Sequence, residues 1–162
     1  MKAARIAITL LFVFGTSAAF GVSAAQKSFD ELKSLNGTWE GKTPDGQTAQ
    51  VIYRVTSNGS ALMSEIKGKE DMISMFNLDG DRVVLTHYCS VGNQPRMVAS
   101  GSPDGKTITF DFFDVTNLAT PDAGHMTRMV LSMADANHHT EEWIYTDHGK
   151  EMKEVFDLWR KK

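Results

Sequence analysis

Five histidines, three arginines within strand-like runs and a single cysteine carry most of the reactive chemistry in this 162-residue chain. His87 sits mid-run in Arg82-Val83-Val84-Leu85-Thr86-His87-Tyr88-Cys89. An imidazole there could ligate an iron or another metal, or orient a polar group of a ligand. The alternative is a hydrogen-bonded core or surface histidine. His125 follows the longest turn-rich segment, 116–124, and opens an apolar-polar alternation. Arg54, Arg96 and Arg128 fall inside such alternations, where a guanidinium facing inward could grip a carboxylate with two parallel bonds. Facing outward it would simply be solvated.

His138-His139-Thr140-Glu141-Glu142 has the residue types of a metal cluster. It lacks the His-Glu-x-x-His spacing, which also needs a helix. On a strand His139 and Glu141 share one face, giving two converging groups where zinc takes three or four. Beside Asp135 and Asn137 the segment reads as a solvated hairpin end. Cys89 has no cysteine partner and reads as a small buried apolar residue. Met63, Met72, Met75, Met97, Met126, Met129 and Met133 suit a cavity that adapts to an apolar ligand, and equally an irregular core. The chain has no Gly-x-Ser-x-Gly elbow, no Gly-rich phosphate loop and no paired-cysteine motif. The spacing of Glu65, Asp111 and Asp114 identifies no acid–base pair.

These residues must be positioned by strands. Phe29, Leu32 and Leu35 recur at spacing three, predicting a short helix stopped by Asn36-Gly37. After Gly41 the period changes to two. Runs begin near Val51, Ala61, Met72, Arg82, Pro95, Lys106, Met126, Thr140 and Met152. Turn signals separate them, among them Pro44-Asp45-Gly46, Ser57-Asn58-Gly59, Asp79-Gly80 and Ser102-Pro103-Asp104-Gly105. About ten short strands joined by short turns should pair with their sequence neighbours. Closing such a sheet removes its edges, so an all-β, ten-stranded antiparallel up-and-down barrel is expected, with a two-sheet sandwich as the alternative.

Met1 to Ala25 has another character. Lys2 and Arg5 precede an apolar run, Ile6 to Phe14, and small residues end in Val22-Ser23-Ala24-Ala25. This is the pattern of a secretory signal peptide cut after Ala24 or Ala25, and the apolar run is short for a membrane span. The expected organisation is therefore a leader over 1–25 and a barrel domain over 26–162, periplasmic or secreted. Subtracting the leader's two positive charges from the net −3 leaves −5. A mildly acidic domain without a basic stripe argues against nucleic acid and against an anionic membrane surface as partners.

A short helix followed by Gly37-Thr38-Trp39-Glu40-Gly41 on a first strand resembles the start of lipocalin-like (calycin) barrels. The wording is similar to that of the nitrobindin and fatty-acid-binding-protein type and of an uncharacterised group of bacterial lipocalin-like domains. The resemblance implies that Trp39 plugs one end of the barrel. It implies that arginines such as Arg96 and Arg128 hold a ligand carboxylate. In nitrobindins a histidine of a late strand binds haem, which makes haem a candidate cofactor, although no local motif maps that histidine onto His125 or another position. The expected function is binding of a small hydrophobic or amphipathic molecule inside the barrel, with His87, Arg96, His125, Arg128 and Tyr145 as its polar contacts. An enzyme using His87 or His125 as general base is the alternative, and needs a carboxylate or thiol within about 3 Å of that histidine.

Overall fold

A computed structural model describes residues 22–43, 46–68, 71–101 and 105–162. Ten strands follow one helix: α1 (Ala24–Ser34), β1 (Gly37–Lys42), β2 (Thr48–Thr56), β3 (Ala61–Lys67), β4 (Met72–Asp79), β5 (Arg82–Tyr88), β6 (Gln94–Gly101), β7 (Thr107–Thr116), β8 (His125–Asp135), β9 (His138–Asp147) and β10 (Lys150–Arg160). Each strand pairs antiparallel with its sequence neighbours, and β1 pairs with β10. The result is the closed up-and-down barrel that the period-two pattern predicts. Its wall has no unpaired edge strand.

The helix starts earlier than its spacing suggests, at Ala24 rather than near Phe29. Ser23 explains the difference: its hydroxyl accepts from the Gln26 amide at 3.1 Å and caps the first turn. Most of the expected leader, residues 1–21, lies outside the described residues. Phe29 and Leu32 are buried, and α1 packs against β4, β5 and β6 at one end of the barrel.

That end is sealed by Trp39. Its indole is fully buried and donates to the Leu35 carbonyl at 2.7 Å. The Arg160 guanidinium lies 4.3 Å above the ring. The same guanidinium donates to the carbonyls of Ser34, Asn36 and Ala136, tying the helix end and the β8–β9 turn to the last strand. Gly41 serves the closing seam. A side chain there would bring its first carbon within 1.8 Å of the Asp157 carbonyl oxygen on β10.

Irregularities in the wall decide which side chains face inward. β8 shifts register against β9 between Met126 and Arg128, and β6 against β7 between Arg96 and Met97. Simple alternation would place Arg128 with Met126 and Val130. The bulge instead puts Met126 on the inner face with Met129, Leu131 and Met133, all buried, while Arg128 stays on the outer face with Val130.

Candidate functional site

The half of the barrel nearer α1 is filled. Leu62, Phe76, Leu85, Met97, Phe110, Met129 and Leu131 have no exposed surface, and Phe76 meets Phe110 edge to face at 5.5 Å. The same half also carries a buried polar cluster on its inner wall. Glu141 on β9 is wholly buried. One of its oxygens accepts from the Tyr53 hydroxyl at 2.6 Å and lies 3.2 Å from His139 Nε2; the other accepts from the Trp143 indole at 3.1 Å. A buried carboxylate is tolerated only with such partners. Burial first, and then the Glu141 charge, pushes the Tyr53 phenol well above its usual range.

This corrects the reading of His138 to Glu142 as a solvated end. The β8–β9 turn is short, β9 begins at His138, and His139, Glu141 and Trp143 point inward in alternation. His139 meets Trp39 edge to face at 4.2 Å. Among the described residues no group of three or more His, Cys, Asp or Glu converges as a metal site.

His87 lies on the opposite wall, wholly buried. Its Nδ1 is 2.9 Å from the hydroxyl of Ser74, its cross-strand neighbour on β4. Its ring sits 4.9 Å from Trp143, and its Nε2 has no hydrogen-bond partner. Burial lowers its pKa to about 4, so the imidazole is neutral at ordinary pH.

The end of the barrel away from α1 holds the open space. A cavity of about 470 Å³ is walled by Met72, Cys89, Met126, Trp143, Tyr145 and Met152, with Ser90, Val91, Lys153 and Glu154 around it. A second space of about 270 Å³ shares Met72 and Glu154 with it and extends along β2 and β3 past Ala49, Ile66 and Phe156. Above these, the loops at the rim are tied together. Asn93 donates to the Gly124 carbonyl at 2.8 Å and Asn117 to that of Gly92 at 2.7 Å.

Of the five residues expected to contact a ligand, the structure brings two toward this space. Tyr145 lines the cavity and His87 lies one pleat below it. His125 stands at the rim, half-buried, 5.1 Å from the Phe112 ring, with Nδ1 2.8 Å from the Ala123 carbonyl. The interior placement expected for Arg96 and Arg128 is corrected. Both face outward, Arg96 paired with Asp114 and Arg128 with Asp111 on β7, because each alternates with an adjacent inward residue of its own strand, Met97 or Met129. Arg54 is exposed on the outer wall as well. The residues that build the site but escaped the sequence reading are Tyr53, Ser74 and Trp143. A face shared with Val51 and Val55 marks Tyr53 as inward, and Trp143 marks its neighbour-but-one Glu141.

The surroundings of His87 do not fit haem. A macrocycle needs open space beside an axial imidazole nitrogen. His87 Nε2 is enclosed by side chains, and the apolar layer fills the barrel beneath it.

The geometry therefore defines a ten-stranded up-and-down barrel, packed at one end and open at the other. No family model matches the chain, and no curated protein matches it. Among solved structures, the crystal structure of Rv2717c from M. tuberculosis is similar, with a TM-score of 0.58 and 15% identity, over 83% of this chain and 98% of that one. At that identity the likeness speaks for the fold alone.

Proposed function

We propose that this chain is an exported, lipocalin-like barrel that binds one small hydrophobic or amphipathic molecule in its open half. The observation that carries this reading is the cavity of about 470 Å³ walled by three methionines, Cys89, Trp143 and Tyr145. Volume and lining both suit a small apolar ligand, and flexible thioethers adapt to its shape. The packed half limits the ligand to the space above Phe76, Leu85 and Met97. Binding is favoured over acid–base catalysis because the groups touching the two histidines are the Ser74 hydroxyl and the Ala123 carbonyl, not a carboxylate or thiol. Export is supported by the basic start, apolar run and small-residue exit of residues 1–25, and it makes the periplasm or the exterior the place of action.

One experiment tests both parts. The protein is isolated from the cell-envelope and extracellular fractions of its own host and weighed intact by native mass spectrometry. The expected mass is that of a chain starting at Ala25 or Gln26 plus one ligand, released on denaturation. A full-length chain sinks export. A ligand-free mass that also stays unchanged on soaking with apolar molecules sinks the binding role.

A further inference from the structure

The open half of the barrel combines an apolar wall with buried polar atoms that lack a hydrogen-bond partner among the described residues, Asn93 Oδ1 at the rim and His87 Nε2 on the inner wall. Ser74 and His87 face each other across β4 and β5, and Met72, two residues before Ser74, and Cys89, two residues after His87, lie toward the open end. Met72 and Cys89 line the cavity. The polar pair thus lies immediately beneath its floor, beside Trp143, which lines it too. A buried nitrogen without a partner costs free energy that a bound group would recover. Met72, unbranched with three rotatable bonds, is the cover that can swing aside to admit that group.

The charges around the site select the kind of group. Glu141 lies below the cavity, bonded to the indole of Trp143. Glu141 is close enough to His87 for its charge to act on the imidazole. Lys153 also borders the cavity, but its amino group is paired with Glu142. The strand arginines that would hold a carboxylate, Arg96 and Arg128, face outward. An anionic head placed inside would meet like charge and lose its water without compensation. A hydroxyl carries no charge and both donates and accepts. It therefore suits His87 Nε2 whichever nitrogen of the imidazole holds the proton.

We propose that the ligand is an uncharged, hydroxyl-headed amphiphile that enters head first, bonding its hydroxyl to His87 Nε2 and leaving its apolar body among Met72, Met126, Met152 and Tyr145. This rests on the binding role proposed above and names the class of molecule bound.

The test is calorimetric titration of the mature protein with octanol and with octanoate at pH 7.5, alongside Nile red as an uncharged apolar probe of the cavity. Wild-type protein should bind octanol at least tenfold more tightly than octanoate. His87→Leu should weaken octanol binding roughly five- to tenfold, the scale of one hydrogen bond to a buried neutral group, while leaving Nile red binding unchanged. His87→Gln, which keeps a hydrogen-bonding side chain, should stay within about threefold of wild type. Thermal melting of each variant verifies folding, and the Gln variant decides the matter if the Leu variant does not fold. Octanoate binding as tightly as octanol, or octanol affinity indifferent to both substitutions, overturns the proposal while the binding role stands. Nile red binding without octanol binding does the same. Failure of all three molecules to bind removes the binding role, and this proposal with it.

Discussion

Tyr53 on β2 donates its phenolic proton to Glu141 on β9 across 2.6 Å, joining positions 88 apart in the chain. The bond spans the barrel interior rather than running along its wall. With Trp143 and His139 it makes Glu141 the hub on which three aromatic side chains are oriented, one of them the floor of the open cavity. Removing a single donor leaves a buried carboxylate short of partners. Tyr53→Phe should therefore destabilise the protein by about 2 kcal/mol at neutral pH, measured by urea denaturation. The substitution should also change the alkaline limb. The folded state raises the Tyr53 pKa, so it holds that proton more tightly than the unfolded chain does. Its contribution is complete below about pH 10, the ordinary tyrosine value, and declines as pH rises beyond it. The phenylalanine variant should lose less stability than wild type between pH 10 and 11. Parallel alkaline limbs would contradict a neutral, buried Tyr53.

His87 works in the opposite pH direction. Its pKa falls from 6.5 to about 4 through burial, so the unfolded chain takes up a proton that the folded barrel resists. Stability is complete above about pH 6.5 and decreases as pH falls toward 4, by a total on the order of 3 kcal/mol. Replacing His87 with Gln should flatten the stability profile between those values. The imidazole resonances of wild-type His87 should stay at their neutral positions down to about pH 5 in NMR titration. A midpoint near 6.5 would show that the ring reaches water.

Much of the barrel is legible in the sequence, and the reason is local. Alternation along runs such as Val83-Leu85-His87 or Ile108-Phe110 carries strand identity, and Asp79-Gly80 or Ser57-Asn58-Gly59 carries the turns between them. The site is less legible because it depends on register. Nothing near Met126 announces the bulge that follows it, yet one extra residue in a strand moves the side chains beyond it to the other face. The same applies to His139 and Glu141. Flanked by Asp135 and Asn137, they look solvated until the tight turn places His138 already in β9. Tyr53, Ser74 and Trp143 come from three strands, and only closure of the barrel brings their partners to them.

The outward arginines make a sharp negative control. Arg96 and Arg128 each pair with an aspartate of β7 on a half-exposed surface, where ion pairs contribute about 1 kcal/mol or less. Arg96→Ala and Arg128→Ala should each change stability by less than about 1 kcal/mol and leave the affinity for any cavity ligand unaltered. A tenfold loss of binding in either variant would mean that the arginine reaches the interior, and that the register described for β6 or β8 is wrong.

Gly124 offers the most local handle on the open cavity. A first side-chain carbon at this position would fall 1.8 Å from the Tyr145 hydroxyl oxygen and 2.5 Å from the ring carbon that bears it. The ring of Tyr145 lines the cavity, and the Gly124 carbonyl holds Asn93 of the neighbouring loop. Gly124→Ala must therefore move either the phenol or the loop, and both border the space where a ligand would sit. The expected result is a loss of ligand affinity of about tenfold with a stability cost of roughly 1–2 kcal/mol, the scale of overpacking at a partly buried site. Because the clash is with one side chain, it should be coupled to it. Adding Tyr145→Ala to Gly124→Ala should recover stability relative to the sum of the two single changes, by a coupling of about 1 kcal/mol in a double-mutant cycle. Simple additivity would place the strain in the loop backbone and not against Tyr145.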